Sequence, residues 1–435
     1  MQNPFFVGGP VPAEYFVGRA YELNVAFDQI LSRGHLAIYG SDGMGKSSFL
    51  RYLASPKTWE DRRHPATAAI IIYIDCMGIN PFTPSAFLRE ILSLLKDESA
   101  DDAAMQSEID EILKDATIEK GDLRRVLKKI GQRNKFLVLL VDEYDNALRP
   151  NDKYTEAEML TFLAEFRNLA VHTDEGRYLS TIVTSFRRLN ELGPKLTPGG
   201  SPWYNHYLFL PFKPFGDTET ATLLNRMPAE WTLTAELREG IQEISNGHPA
   251  LLQNACSLLY ANLRAGQPRA VNIENFARDF IAATEHFFRD AWRFSTEVEQ
   301  MLLMLIALSG LEGRLNKKRQ YDLNSVDSIF SQMDRELRDL EERGIIRHTK
   351  KQGKAVYSFA SSIMEWWVIK EIENSKDEAE LQQRQKVFFN LVSRKQVEQI
   401  KNVMQLVWQH KDAVESVVGW VGKLVGAFAK GVNVG

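Results

Sequence analysis

Cysteine is nearly missing from this 435-residue chain: Cys76 and Cys256 are the only two. So small a number excludes a disulfide-stapled secreted scaffold and fits a reducing compartment. No run of about eighteen or more apolar residues occurs, so no ordinary membrane-spanning helix is expected. Charge of either sign is not in excess: 53 basic against 57 acidic side chains leave a net charge of −4, which does not call for nucleic acid but leaves room for a local basic patch. The opening MQNPFFVGGPVPAEYFVGR has no basic stretch and is broken by Pro4, Pro10 and Pro12, so it does not read as a secretion signal. Together these features predict a cytoplasmic protein. No spacing of His, Cys and carboxylates suggests a metal cage, no serine or cysteine nucleophile has a recognisable base partner, and no guanine-reading N-K-x-D motif is present.

What is present is apolar material for real cores, 44% of the chain, over a length that fits two to four domains. In the first half, HLAIYG (35–40), AAIIIYIDC (68–76), FLVLLVDEYD (136–145), YLSTIVTSF (178–186) and YLFLPF (207–212) read as strands, separated by amphipathic helical patterns such as 83–97 and 158–172. Such alternation predicts a mostly parallel sheet with helices on both faces. The polar, acidic stretch 97–115 reads as a solvated helix or loop. After Phe215 the strand patterns stop, and 217–289 reads as several helices. Residues 295–372 pair helices, one of them running to a C-capping Gly344, with a hairpin turning at Gln352-Gly353, the pattern of a winged helix. The predicted domains are therefore a sheet domain over 1–215, a helical lid over 216–289, a winged helix over 290–372 and a helical tail over 373–435.

Gly40-Ser-Asp-Gly43-Met-Gly45-Lys46-Ser47 satisfies G-x-x-x-x-G-K-[ST] between a strand and a helix. Glycines let the backbone wrap closely on phosphates, and the amides of the helix start, Ser48 among them, face the anion. Lys46 is expected to reach the β- and γ-phosphates and Ser47 to ligate Mg²⁺. The first half is thus an α/β P-loop NTPase domain. In LVLLVDEYDNAL, Asp142 ends a buried strand where a carboxylate can hold Mg²⁺ through water, and Glu143 can orient or deprotonate an attacking water; Asp145 reads as a turn or cap residue. At the end of TIVTSFRRL, Thr184 or Ser185 could touch the γ-phosphate, and either Arg187 or Arg188 could report its presence.

In their order, these motifs make the chain resemble the STAND class of AAA+-related signalling ATPases over roughly residues 3–370. NPF (3–5) and FVGR (16–19) resemble the segment before the P-loop, although Ala20 stands where the family usually has Glu; NGHPALL (246–252) resembles the helical-domain G-x-P motif; and LRDLEERGIIRHTKKQGKAVYSFASSIMEWWV resembles the winged-helix module. The resemblance implies that Val17, Gly18 and Arg19 border the adenine and that Pro249 covers the base. It further implies an ADP-bound resting monomer, ATP-driven loosening of the winged helix, nucleotide-dependent homo-oligomers, slow hydrolysis as the reset, and a role in bacterial signalling or antiviral defence through a partner or effector protein.

Two alternatives stand beside it. Arg343, Arg347, His348, Lys350, Lys351 and Lys354 cluster around the hairpin and could follow a phosphate backbone, as in a DNA-binding ATPase of the initiator or regulator type. A chaperone-like motor would need an arginine finger, and none is recognisable. His248 could sense nucleotide or stand at a helix start, the second reading being preferred, and of the adjacent Trp366 and Trp367 one is expected in the core. The tail over 411–435 carries an apolar stripe from Val414 to Phe428 and Gly422-x-x-x-Gly426, which suits a helix folded back on the protein, an assembly element, or one lying in a membrane interface.

Overall fold

The computed structural model describes residues 2–194, 202–265, 273–311, 326–351, 354–374 and 432–434. By contact the chain divides into two compact units. A sheet unit comprises Pro10–Gly40 and Gly45–Phe212; a helical unit comprises Met1–Gly9, Ser41–Met44 and Lys213–Gly435.

The sheet unit is built on five parallel strands, β1 (His35–Tyr39), β2 (Ala69–Asp75), β3 (Phe136–Asp142), β4 (Leu179–Ser185) and β5 (Tyr207–Pro211), in the order β2-β3-β4-β1-β5. The three central strands are buried at every position; β3 accordingly runs apolar without alternating, whereas β4 also buries Ser180, Thr181, Thr184 and Ser185. The connecting helices are α1 (Ala20–Ser32), α2 (Lys46–Ala54), α3 (Pro56–Asp61), α4 (Pro84–Asp97), α5 (Ala103–Leu113), α6 (Lys120–Gln132) and α7 (Glu156–His172). Several begin on local chemistry legible in the sequence: the Thr83 side chain accepts from the Ala86 amide ahead of Pro84, and Thr155 and Glu158 form a reciprocal capping box. The acidic stretch 97–115 is only partly solvated, because α5 buries Met105, Ile109 and Ile112 in the sheet unit's core.

The helical unit contains α8 (Asp217–Leu224), β6 (Trp231–Leu233), α9 (Ala235–Ser245), α10 (Pro249–Arg264), α11 (Ile273–Arg293), α12 (Glu297–Leu311), α13 (Val326–Gln332), α14 (Asp334–Glu342), β7 (Ile346–Lys351), β8 (Lys354–Phe359), α15 (Ser362–Asn374) and β9 (Val432–Val434). Here the structure differs from expectation in four places. The segment 217–289 is not purely helical, since β6 pairs antiparallel with β9. Residues 432–434 are accordingly strand rather than helix. The helix expected to end at Gly344 is two helices, α13 and α14, divided at Met333; Gly344 does end the second, at φ +71°. Arg343 does not belong to an exposed basic cluster: it is 1% exposed, bonded to Glu299 at 3.2 Å and Asp339 at 2.8 Å.

β7 and β8 form the expected antiparallel hairpin, with Ile346 opposite Phe359. Trp367 is buried against Trp292, ring centroids 5.9 Å apart. The expected turn at Gln352-Gly353, the side chains of Lys351 and Lys354, and the apolar stripe of the tail, with the glycines at 422 and 426, lie outside the described residues. Among the described residues no helix is long and apolar enough to cross a membrane.

Candidate nucleotide site

Parallel strands end at one edge of the sheet, and that edge gathers the polar residues that the apolar strands carry at their C-terminal ends. β1 leads through Gly40 into the glycine loop, and α2 opens at Lys46, so the loop delivers a helix N-terminus with its unpaired amides. Gly45 sits at φ +88°, a conformation open to glycine and costly to other residues. Lys46 is 5% exposed and donates from Nζ to the Gly40 carbonyl at 2.8 Å, which holds the ammonium back over the loop. Ser47 is half-buried in the first turn of α2. The Ser48 hydroxyl accepts from the Val11 amide at 2.9 Å and fastens the preceding segment to α2. That segment packs further through Phe16, stacked on Tyr52 at 4.5 Å, and through buried Val17. Gly18 and Arg19 both have positive φ, +73° and +60°, which turns the chain into α1; the Arg19 guanidinium lies 4.5 Å over the Phe212 ring and 3.2 Å from Glu22.

Asp142 is held from three sides. Thr184 Oγ1 donates to its Oδ1 at 2.5 Å, the Glu143 amide donates to the same oxygen at 3.2 Å, and the Tyr73 hydroxyl donates to Oδ2 at 2.8 Å. A carboxylate offers about four acceptor sites, so one remains, on Oδ2. Asp75 is the register partner of Asp142 on β2. Burial and the neighbouring Asp142 charge push the Tyr73 phenol well above its ordinary pKa, so it remains a proton donor. Glu143 has φ +50°, and its amide also reaches Thr184 Oγ1 at 3.2 Å. A non-glycine residue in that region is strained by about 1–3 kcal/mol and is retained where surrounding contacts over-determine it. Asp145 proves to be a tie: its carboxylate accepts from the Phe186 amide at 3.0 and 3.2 Å.

The donor set suits Mg²⁺ carried with a nucleotide. One hydroxyl, Ser47, and one carboxylate with a single open acceptor site match a small cation that keeps its waters and takes its other ligands from phosphates. Among the described residues no group of three or more His, Cys, Asp or Glu forms a metal cage.

The strand-end residues sort differently. The Ser185 hydroxyl donates to the Arg187 carbonyl at 2.6 Å and is occupied in its own turn. Arg188 is turned to Tyr39: Nε donates to the phenol oxygen at 2.9 Å and the guanidinium lies 5.1 Å over the same ring.

In the helical unit the crest of the glycine loop, Ser41–Met44, is clasped through two of its carbonyls and one hydroxyl. His248 Nε2 bonds the Asp42 carbonyl at 3.0 Å, the Ala250 amide donates to the Gly43 carbonyl at 3.1 Å, and Ser41 Oγ donates to the Arg343 carbonyl at 3.1 Å. Pro249, the first residue of α10, lies between the first two donors, and His248 caps that helix. Gly43 has φ +78°, and a Cβ there would meet Ala250 Cβ and His248 Cε1 at 2.7 Å. A cavity of about 40 Å³ remains beside the crest, lined by Ser41, Asp42, His248, Phe287, Arg343 and Ser361; it has room for water rather than a nucleotide.

Residues 30–189 match the family model of the AAA domain. Across nearly its whole length the chain is similar to the Walker-type ATPase of Pyrococcus abyssi, with a TM-score of 0.50 at 18% identity, covering 84% of this chain and 99% of that one. Over residues 30–189 the fold is that of an AAA-type P-loop domain. Weaker likenesses, which add nothing to the assignment, are to the Aeropyrum pernix ORC2 protein in its ADPNP–ADP complexes (TM-score 0.45, 14% identity, 92% and 96% coverage) and to Drosophila ORC bound to DNA (0.41, 14%, 84% and 89%). No curated protein matches the sequence.

Sequence reasoning located the residues that the fold brings to the sheet edge, Lys46, Ser47, Asp142, Glu143 and Thr184, but missed Tyr73 and Asp75. A tyrosine inside the aliphatic run AIIIYID was the one available signal for Tyr73, and its partner depends on a β2–β3 register that the sequence does not display.

Proposed function

We propose that this chain is an ATP-binding and hydrolysing molecular switch of the STAND type. The observation that carries the proposal is the clasp on the loop crest. Two contacts from the start of α10 hold the Asp42 and Gly43 carbonyls, and the Ser41 hydroxyl donates to the Arg343 carbonyl at the end of α14, on the loop whose amides would meet the phosphates. A change in phosphate number that shifts the loop backbone therefore shifts the groups bonded to His248, Ala250 and Arg343. On this reading α12 to α15 with the β7–β8 hairpin form a winged helix. A hundredfold preference of nucleotide for one arrangement suffices, worth about 2.7 kcal/mol.

In the chemical step Lys46 and the α2 amides hold the β- and γ-phosphates, and Val17, Gly18 and Arg19 border the base. Ser47, and Asp142 through water, would hold Mg²⁺, which would neutralise charge on the phosphate oxygens. Glu143 orients the attacking water or takes its proton as the water oxygen bonds the γ-phosphorus and the bond from that phosphorus to the β-phosphate oxygen breaks, releasing ADP and phosphate. With Arg188 turned to Tyr39, Arg187 is the better candidate to sense the γ-phosphate. The buried Arg343 withdraws one cation from the DNA-binding alternative, so the switch is the better supported reading.

Solution mass distributions with ADP and with a non-hydrolysable ATP analogue test the proposal, beside Lys46→Ala and Glu143→Gln. Larger assemblies should need ATP, vanish in Lys46→Ala and persist with ATP in Glu143→Gln. Identical distributions with both nucleotides, or rapid turnover without assembly, would refute it.

A further inference from the structure

Tyr73 lies on β2, the edge strand separated from β1 by β3 and β4, and in none of the motifs, yet it links the two halves of the metal-binding apparatus. Its hydroxyl donates to Asp142 Oδ2 at 2.8 Å. The face of its ring carries the guanidinium of Arg51 at 4.9 Å, and Arg51 stands on α2, the helix that opens with Lys46 and Ser47. The ring thus runs from the phosphate-gripping helix to the carboxylate at the end of β3. A cation–π contact of this kind contributes modestly, but it fixes where the phenol can point.

The acceptor arithmetic at Asp142 gives that placement a consequence. Thr184 and the Glu143 amide both bond Oδ1, and Tyr73 takes one site on Oδ2. With Tyr73 in place the carboxylate cannot rotate without breaking a bond to a charged acceptor. It also offers a single acceptor site, which suits a metal-bound water better than direct bidentate ligation. Outer groups that orient a metal ligand commonly matter to metal affinity nearly as much as the ligands themselves.

We infer that Tyr73 is a positioning residue for the divalent cation: by bonding Asp142 Oδ2 it sets the one acceptor site through which Asp142 holds a water of Mg²⁺. The inference rests on the reading of this edge as a Mg²⁺–nucleotide site. The Tyr73 hydroxyl takes no part in proton transfer.

Tyr73→Phe tests it, because the ring and its contact with Arg51 remain while only the hydroxyl is lost. The measurement is the affinity for a fluorescent ADP analogue, first without metal and then across a Mg²⁺ titration, with a thermal melt of each protein. The variant should bind ADP without metal as the wild type does, melt at the same temperature, and need about tenfold more Mg²⁺ for half its metal-dependent gain in affinity. An unchanged Mg²⁺ requirement overturns the inference, whether or not the melting temperature falls. So does a loss of metal-free ADP affinity equal to the loss with Mg²⁺, since that marks a packing residue. A wild-type protein whose ADP affinity ignores Mg²⁺ would overturn the reading of the site itself, an outcome distinguishable from failure of Tyr73 alone.

Discussion

Thr184 Oγ1 donates a 2.5 Å hydrogen bond to Asp142 Oδ1 between the ends of adjacent parallel strands β4 and β3. The same hydroxyl accepts from the Glu143 amide, so one side chain fixes both the carboxylate proposed to hold the metal and the backbone that carries the proposed base. Removing it by Thr184→Val leaves Asp142 short of a donor. Hydrogen bonds to charged groups are worth about 1.5–3 kcal/mol, so ATP turnover should fall about 10–100-fold. ADP binding without metal should be nearly unchanged, and steady-state turnover beside nucleotide binding checks both halves.

Gly43→Ala addresses the clasp. The new methyl would lie 2.7 Å from Ala250 Cβ and His248 Cε1 and 2.8 Å from Phe287 Cε1, at a φ of +78°. Such strain costs about 1–3 kcal/mol. Denaturant unfolding should show a loss of that size, and wild-type stability would mean that the crest is not packed against α10.

Arg343 sits between the Glu299 and Asp339 carboxylates with Ser295 Oγ at 3.3 Å from Nη1. Arg343→Met keeps the volume but leaves two buried carboxylates unmatched. Removing one partner from a buried ion pair costs about 3–5 kcal/mol, so the variant should melt well below the wild type at neutral pH.

Stability should fall on mild acidification. Burial depresses His35 to about 4, and burial with its neighbour His35 depresses His206 to about 3. Both rings are neutral in the fold, whereas an unfolded chain protonates them near its ordinary pKa of about 6.5. Above that value their contribution to stability is fully present. As pH falls from about 6.5 through 4 towards 3, the unfolded state binds protons that the folded state refuses, and stability drops by up to about 1.4 kcal/mol per pH unit for each ring. Chemical denaturation between pH 7 and pH 5 checks the slope, and His206→Phe should flatten it.

The sheet was legible because a strand buried on both faces favours a long apolar run, as in FLVLLVD. The glycine loop was legible because phosphate chemistry demands its spacing. What the sequence did not display depends on distant segments meeting. Nothing around Trp231 announces that residues 231–233 pair with 432–434, about two hundred positions on. Arg343 reads as one more cation near a basic hairpin until α12 brings Glu299 beside it. The choice between Arg187 and Arg188 turns on Tyr39, at the end of a strand that precedes them by some 150 residues.

Hydrogen exchange of the amides in 248–252 and 41–45, in the ADP-bound protein and with a non-hydrolysable ATP analogue, tests the central claim most directly. A switch that works through the crest predicts that the Ala250 amide, bonded to Gly43, is strongly protected with ADP and exchanges at least about tenfold faster with the ATP analogue, a difference of about 1.4 kcal/mol in local opening. Equal protection of these amides in both nucleotide states would contradict the claim and leave the chain an ATPase without a latch.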